Sequence, residues 1–437
     1  MFEELLSDQN PHWLNSFYED GIRRDILDNV IEHIDIPHII SIIGVRRCGK
    51  STLLRQTINY LIKERGIAPR QILFVNLETP ALGGYRHDIT YLERLYSDYL
   101  KLTQPQGQVY FFLDEAQFFP EWQVFVKSHY EQKKIKFFIT GSSSRLLSSE
   151  YITLLSGRTL PVEISPFSFA EFIRARGLDS KDKVALAADS HRLRSLLDEY
   201  LHFGGFPEVT CIQEPALKKE ILGMYGRHIL FQDIMPRFHV KKSGDLENLY
   251  YYLITNVSSL YTYNRLSGAI DLNDKTVKEY LAYFADARLL ISVDLHDYSV
   301  KQRLKSPRKI YAIDTGIAAA GSLSYSKNVG RLLENLVFLE LMRRGFDITY
   351  YRTKNNLEVD FLCRRERRIT ALVQTSMDMQ AEKTRKREIR ALTKAMEETG
   401  LQEGTIVTLE EEGEQETAAG KIVIAPAYKF LLADRES

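Results

Sequence analysis

The chain has 437 residues, more than one hydrophobic core usually organises, so its length predicts two to four domains. The 58 Lys and Arg residues are balanced by 58 Asp and Glu residues, so the net charge does not indicate any class of partner. A nucleic-acid contact would need a local basic patch. Three widely spaced cysteines lack metal-ligand spacing and predict reduced thiols in a cytoplasmic protein. The acidic amino terminus does not resemble a signal peptide, and no apolar run reaches the roughly 20 residues of a membrane helix, so we expect no membrane association.

Short apolar runs alternate with helical patterns over the first 165 residues. After a mixed helical segment, the predicted strands cover residues 37–44, 71–78, 108–117 and 134–144. The predicted helices between and after them cover residues 50–65, 91–102 and 122–132. Such alternation predicts an α/β fold with a parallel sheet and helices on both of its faces.

The segment from Gly44 to Ser51 matches the pattern G-x-x-x-x-G-K-S/T between a predicted strand and a predicted helix, the context that this motif requires. Glycines let successive N–H groups turn into a concavity, and the helix adds its positive N-terminal dipole. We therefore predict that Lys50 reaches the β- and γ-phosphates of ATP and that Ser51 binds Mg²⁺. The residues predicted to bind the nucleotide are Gly44, Val45, Arg46, Arg47, Cys48, Gly49, Lys50, Ser51 and Thr52.

Asp114 and Glu115 close the apolar run Val-Tyr-Phe-Phe-Leu, which delivers them to the carboxyl edge of the sheet. Asp114 is predicted to hold Mg²⁺ indirectly or through water, and Glu115 to polarise the attacking water as general base. An acidic helix cap is the alternative for the pair alone. Because the pair follows a phosphate loop, the two motifs together predict ATP hydrolysis.

Two further side chains are candidates for contact with the nucleotide. Ser142, at the end of the fourth predicted strand, is expected to touch the γ-phosphate or the water, and a Ser-rich turn is the alternative. Arg158 is a candidate arginine finger, in cis or in trans, and a surface salt bridge is the alternative. A role in trans would require a homo-oligomer.

These motifs occur in a combination that resembles a known family. The segments GVRRCGKSTLLRQ, FFLDEAQ, FFITGSSSRLLS, LSGRT, PFSFAEF and GGFPEV are similar to those of the bacterial and archaeal AAA-type ATPases called the archaeal-type ATPase group. The resemblance runs from about residue 20 to the C-terminus. It implies the architecture and the use of ATP, and it adds weight to Arg158 and the turn from Gly204 to Pro207 as nucleotide-responsive elements.

Residues 241–322 resemble a winged helix-turn-helix. Three helical patterns, the last capped by Asn273 or Asp274, precede two strand-like pieces on either side of the basic, loop-like KQRLKSPRK. The resemblance implies DNA as a partner, with Lys275 and Lys278 in the major groove and the basic loop on phosphates. A module that contacts only protein is the alternative.

Residues 323–437 resemble the restriction-endonuclease-like PD-(D/E)xK fold, in which a helix Glu, a strand Asp and a further acid followed by Lys hold Mg²⁺. Glu334, Asp360 and Gln374 are the matching candidates for a second metal site. Gln374 replaces the acid and Ser376 stands where the Lys is expected, which weakens such a site. A degenerate fold used for docking is the alternative to an active nuclease.

The sequence as a whole predicts an ATPase with three following modules. The segments are a P-loop AAA-type ATPase domain (1–165), a helical lid (166–240), a winged helix-turn-helix (241–322) and a nuclease-like domain (323–437). The predicted function is Mg²⁺-dependent ATP hydrolysis that rearranges the last two modules on DNA. The alternatives are an ATP-gated, metal-dependent DNA nuclease and a signalling switch that binds a protein partner.

Overall fold

The computed structural model describes residues 2–85, 88, 90–119, 121–142, 154–324 and 328–433, and for residues 142, 183, 185 and 187 it describes the backbone alone. The chain divides into two compact units, Met1–Ser165 and Pro166–Ser437. The three segments predicted after residue 165 therefore lie within the second unit, and their separation into domains stays a prediction.

The described part of the first unit forms a five-stranded parallel sheet with the order β2-β3-β4-β1-β5. Its strands are β1 (Ile39–Gly44), β2 (Ile72–Asn76), β3 (Val109–Asp114), β4 (Ile135–Ser142) and β5 (Thr159–Ile164). Every residue of β3 is buried, as expected of a central strand covered on both faces. The four predicted strands are confirmed.

The fifth strand, β5, was not predicted from the sequence. It contains Pro161 and alternates in burial, so it lacks the continuous apolar run of the other strands. Proline lacks the N–H of a ladder bond and is tolerated at a sheet edge, which is where β5 lies. It pairs with β1 from Ile39 opposite Thr159 to Gly44 opposite Ile164.

The helices of the first unit include those predicted after β1, β2 and β3. Its described helices are Glu3–Gln9, Leu27–Glu32, Lys50–Lys63, Tyr91–Thr103 and Trp122–Glu131, with 3-10 turns at Pro11–Leu14, Pro69–Gln71, Pro80–Tyr85 and Ala116–Phe118. Aromatic rings pack between the sheet and two of these helices. Phe111 on β3 stacks on Tyr96 and Phe137 and meets Phe125 edge-on, which anchors the strand that ends in Asp114.

The free edge of β2 is covered by side chains from the amino-terminal segment. Asn10 accepts the N–H of Phe74 at 2.7 Å and donates to its carbonyl oxygen at 2.9 Å, as a neighbouring strand would. His12 and Trp13 both donate to the carbonyl oxygen of Ile72, at 3.1 and 2.8 Å. Unpaired backbone groups of an edge strand are thus satisfied without a sixth strand.

The second unit begins with helices and continues into two sheets. Its described helices are Phe169–Ala175, Lys183–Ala188, Ser190–Phe203, Pro207–Thr210, Pro215–His228, Met235–Phe238, Ser243–Thr255, Tyr263–Ile270, Asp274–Asp286, Val300–Lys305, Thr315–Gly321, Val329–Arg343, Glu382–Thr399 and Ala427–Leu432, with a π-helical turn at Ile229–Ile234. Of all the helices described in the chain, none is long and apolar enough to cross a membrane.

The smaller sheet of the second unit is antiparallel, with the order β6-β8-β7. Its strands are β6 (Leu260–Tyr261), β7 (Leu290–Val293) and β8 (Arg308–Ala312). The predicted pairing of β7 with β8 is confirmed. The basic segment between them was predicted as a loop, which is wrong for Val300–Lys305: Ser299 accepts the N–H of Gln302 and caps a short helix there.

The larger sheet is mixed, with the order β13-β14-β12-β11-β10-β9. Its strands are β9 (Asp347–Arg352), β10 (Glu358–Arg365), β11 (Arg368–Ser376), β12 (Glu403–Thr408), β13 (Gly413–Thr417) and β14 (Gly420–Pro426). The predicted helix, three strands, helix and strand are confirmed up to β12. The acidic stretch at 409–416 was predicted as a solvated loop, but its second half forms β13 against β14.

Candidate functional site

The loop from Gly44 to Ser51 joins β1 to the helix Lys50–Lys63 and needs its glycines. A Cβ on Gly44 would lie 2.2 Å from the carbonyl oxygen of Ile164 at the end of β5. Gly49 has a φ of 102° and Arg47 a φ of 67°, both in the left-handed region. That conformation is costly for a non-glycine residue, so the surrounding structure must hold the Arg47 backbone in it.

Lys50 lies across the mouth of this loop. Its Nζ lies 3.4 Å from the carbonyl oxygens of both Gly44 and Val45, and 3.7 Å from Oε1 of Glu115. The Lys50 side chain is 5% exposed. The structure thus brings the predicted phosphate-binding lysine and the predicted general base together.

Asp114, at the end of β3, lies beside the start of the same helix. Its Oδ1 accepts a hydrogen bond from the hydroxyl of Thr140. Burial raises the pKa of Asp114, while hydrogen bonding to Thr140 and to Ser51 lowers it. Among the described residues, Oδ2 of Asp114 has no hydrogen-bond partner of ordinary geometry. A buried carboxylate oxygen beside a serine hydroxyl is a donor set that suits Mg²⁺.

Glu115 begins the turn after β3, with a φ of 54°. Its N–H donates to the Thr140 hydroxyl at 2.9 Å, and its Oε2 accepts a hydrogen bond from the amide of Gln117. The hydroxyl of Thr140 therefore contacts both residues, because it donates to the Asp114 carboxylate and accepts the backbone N–H of Glu115. Sequence reasoning selected Ser142 from this strand end. Its side chain lies outside the described residues, and Thr140 is the hydroxyl that contacts the acids.

Arg24 is a residue of this site that sequence reasoning missed. The side chain is buried, and its guanidinium donates to the carbonyl oxygen of Cys48 at 2.8 Å and to that of Ser165 at 2.7 Å. Its own N–H donates to Oε1 of Gln56 at 3.2 Å. Arg24 thus ties the phosphate loop to the end of the first unit. No motif marks it, because its partners lie 24 and 141 positions away.

Arg46, Val45, Thr52 and Arg158 complete the predicted set in this unit, and Thr52 is half-buried in the first turn of the helix Lys50–Lys63. Arg46 lies 3.3 Å from Glu78 in a partly exposed ion pair, and Val45 is buried. Arg158 lies just before β5, where its carbonyl oxygen accepts the N–H of Ile39, and its guanidinium lies 3.5 Å from Glu131. It is therefore at the amino edge of the sheet, about 17 Å along β1 from the loop at its carboxyl edge.

In the second unit, the turn from Gly204 to Pro207 is held by a buried carboxylate. Oδ2 of Asp314 accepts the N–H of Gly205 at 2.7 Å, and a Cβ on Gly204 would lie 2.0 Å from Oδ1. Burial raises the pKa of Asp314 to about 6. Because Gly204 has no side chain, the Asp314 carboxylate can lie against the backbone of the turn and accept the N–H of Gly205. Their response to nucleotide stays a prediction.

The residues predicted to contact DNA differ in their environment. Asn273 caps the helix Asp274–Asp286 by accepting the N–H of Thr276 at 2.8 Å, as predicted. Lys278 and Arg308 both lie over the ring of Tyr263, and Arg308 lies 2.8 Å from Asp294. These two cations therefore contact protein groups. Lys275 is exposed.

Glu334 and Asp360 converge in the second unit, but on a lysine. Nζ of Lys309 lies 2.9 Å from Glu334 and 2.8 Å from Asp360. Gln374 accepts the N–H of Asp360 at 3.0 Å and donates to Glu388. Burial and the neighbouring Asp360 raise the pKa of Glu334, while Lys309 lowers it. Within the described ranges no group of three or more His, Cys, Asp or Glu side chains is arranged to hold a metal ion. The second metal site at Glu334, Asp360 and Gln374 stays a prediction.

Comparison with known sequences places the chain in a family. Residues 37–173 match the model of the AAA domain, residues 194–326 match a domain of unknown function (DUF8612), and residues 329–430 match a second one (DUF4143). The chain is 34% identical to "Uncharacterized protein MJ1544" of Methanocaldococcus jannaschii, over 99% of this chain and 95% of that protein. The chain belongs to the same family as this archaeal protein. Its residues 37–173 match the AAA domain of AAA-type ATPases.

Other members and solved structures extend this comparison. An uncharacterized protein of Haemophilus influenzae is 33% identical over 78% of this chain and 84% of its own length. The Aeropyrum pernix ORC1 protein in complex with DNA is 13% identical, covering 70% of this chain and 93% of that one, with a TM-score of 0.29. The Thermotoga maritima RuvB Holliday junction branch migration motor is 15% identical, covering 61% and 88%, with the same TM-score. At such scores the structural likeness supports no inference for this family member.

Proposed function

We propose that this protein binds ATP with Mg²⁺ at the loop from Gly44 to Ser51 and hydrolyses it, and that hydrolysis rearranges the modules of the second unit. The observation that carries the proposal is the approach of Lys50 to Glu115 beside Asp114, at the carboxyl edge of a parallel sheet. A phosphate loop alone would support binding. The acid pair, joined through the hydroxyl of the buried Thr140 to the Asp114 carboxylate and the Glu115 backbone, supports hydrolysis.

Each residue has a distinct part in this reaction. The backbone N–H groups of the loop and the N-terminus of the helix Lys50–Lys63 would cradle the phosphates, and Lys50 would neutralise their charge. Ser51 and Asp114 would hold Mg²⁺, which shields the phosphate oxygens when it is bound. Glu115, whose carboxylate is held by Gln117, would accept a proton from the attacking water.

Two substitutions separate binding from turnover. We expect Lys50→Ala to abolish ATP binding, because the loop then lacks its cation. We expect Glu115→Gln to bind ATP normally and to turn over at least roughly 100-fold more slowly, the usual contribution of a general base. Equilibrium binding of a fluorescent ATP analogue and phosphate release measure the two properties.

The exposed Glu121, in the same unit, provides the matched control. Glu121→Gln should behave as wild type in both assays. Normal hydrolysis by purified Glu115→Gln would remove Glu115 from the role of base. Failure of the wild-type protein to bind ATP would end the whole proposal.

We further propose that the second unit contacts DNA. The helix Val300–Lys305 carries Lys301, Arg303 and Lys305, and the preceding Tyr298 is 92% exposed. A basic, aromatic surface suits phosphates and unstacked bases. Lys275 adds charge to the exposed face of the capped helix Asp274–Asp286.

The test of DNA contact uses the salt dependence of affinity. Replacing Arg303 and Lys305 by Ser should weaken binding of a short duplex. The plot of the logarithm of the association constant against the logarithm of the salt concentration should become less steep by about two, one for each lost phosphate contact. The exposed pair Lys133 and Lys134 of the first unit, replaced in the same way, controls for net charge. An unchanged slope in the first variant would favour the alternative, a switch that binds only protein.

A further inference from the structure

Lys309 lies on β8, and its ammonium group is buried among three carboxylates. Its Nζ lies 2.8 Å from Oδ1 of Asp360, 2.9 Å from Oε1 of Glu334 and 3.1 Å from Oε1 of Glu358. The side chain is 3% exposed. An ammonium group has three N–H donors, so these three acceptors satisfy it completely.

The carboxylate oxygens that bind Lys309 are the same oxygens that a divalent cation at this position would need as ligands. Oε1 of Glu334 also accepts the hydroxyl of Tyr311 at 2.8 Å. The second oxygen of Asp360 is engaged too, because Oδ2 accepts the N–H and the hydroxyl of Thr375 at 2.9 and 2.7 Å. Mg²⁺ binds carboxylate oxygens at about 2.1 Å in a near-octahedral shell, so it could enter only by displacing the ammonium group.

Gln374 does not turn the cluster into a metal site. Its Oε1 accepts the N–H of Asp360 at 3.0 Å, and its Nε2 donates to Oε2 of Glu388 at 2.8 Å. Both ends of the amide are therefore used for holding β10 and the helix Glu382–Thr399. Gln374 therefore adds no negative charge to the cluster.

We propose that the Lys309 ammonium is the resident cation of this carboxylate cluster, in place of a divalent metal. Glu334 comes from the helix Val329–Arg343, and Glu358 and Asp360 come from β10. Lys309 therefore fastens the three-stranded sheet to the six-stranded sheet of the second unit. The cluster holds these two sheets together and does not cut nucleic acid, whether or not the first unit hydrolyses ATP.

The first test measures Mn²⁺ binding to the full-length protein without nucleotide, by the loss of the free Mn²⁺ signal in electron paramagnetic resonance. Wild type, Asp360→Asn and Glu334→Gln are compared. All three proteins keep Ser51 and Asp114, so any Mn²⁺ bound at the phosphate loop is the same in each and does not affect the comparison. We expect equal binding. One Mn²⁺ equivalent present in wild type and lost in either variant would overturn the proposal.

The second test removes the ammonium group. Lys309→Met keeps the length of the side chain, and we expect it to lower the melting temperature by several degrees and to create one new Mn²⁺ site that Lys309→Met/Asp360→Asn lacks. Lys421→Met, at a half-exposed lysine of β14 that pairs with Glu414 on the surface, should change neither property. A folded Lys309→Met that binds no additional Mn²⁺ would refute the proposal. If it does not fold, the first test decides alone.

Discussion

A single buried side chain, Arg24, links the phosphate loop to the end of β5. Two carbonyl oxygens, those of Cys48 and Ser165, share its guanidinium. Hydrogen bonds from a charged donor to buried carbonyls are strong, and their loss leaves both acceptors unpaired. We infer that Arg24 positions the backbone of the phosphate loop, and would affect the nucleotide only through that backbone.

We expect Arg24→Ala to weaken ATP binding about tenfold, equivalent to about 1.4 kcal/mol, because the loop backbone loses its anchor. Arg24→Lys should restore part of the affinity, because the lysine ammonium can donate to one of the two carbonyl oxygens. Titration of a fluorescent ATP analogue measures both. Arg23→Ala is the control, since the neighbouring Arg23 is half exposed and pairs with Asp28. Equal affinities for Arg24→Ala and Arg23→Ala would contradict the positioning role.

The edge of β2 shows how an element is completed by side chains distant in sequence. Asn10, His12 and Trp13 supply the hydrogen bonds that a further strand would supply. Because a carbonyl oxygen only accepts, Nε2 of His12 must carry the proton of its bond to Ile72. Burial lowers the pKa of His12 to about 4, so the ring is neutral in the folded protein above that pH.

The His12 environment predicts a pH dependence of stability. Between pH 6.5 and about 4 the unfolded chain binds a proton at His12 that the folded chain does not, so stability is lost as the pH falls through this window, by up to about 3 kcal/mol. His12→Gln keeps an N–H donor without a titrating ring and should lose less stability between pH 7 and pH 4.5.

Urea unfolding followed by tryptophan fluorescence measures this difference within the first unit, since both tryptophans of the chain, Trp13 and Trp122, lie there. His191→Gln, at an exposed histidine of the second unit, is the control. A wild-type pH profile that matches that of His12→Gln would show that burial does not lower the pKa of His12.

At the scale of the whole molecule, the position of Arg158 bears on assembly. It precedes β5 at the amino edge of the sheet, whereas the phosphate loop leaves β1 at the carboxyl edge. A side chain of this length cannot span that separation. If Arg158 acts on a nucleotide, the nucleotide must therefore be that of another copy of the chain.

Mixing two inactive variants tests this role in trans. Arg158→Ala keeps an intact loop, and Lys50→Ala keeps Arg158, so a mixture should hydrolyse ATP several-fold faster than the sum of the separate proteins. Light scattering establishes whether the chains associate. Wild-type turnover by Arg158→Ala alone would show that Arg158 is no arginine finger, and an inactive mixture of associated chains would exclude complementation.

Local patterns in the sequence were enough to predict the first four strands, the helices beside them, the phosphate loop and the acids Asp114 and Glu115. Each of these depends on consecutive residues, because a buried strand needs an apolar run and a phosphate cradle needs glycines at set spacings. The roles of Arg24, Thr140 and Lys309 depended on packing. Their partners lie 24 to 141 positions away in the chain, so only folding brings the groups together. For the same reason two acids that matched a metal-site pattern, Glu334 and Asp360, meet an ammonium group in the folded protein.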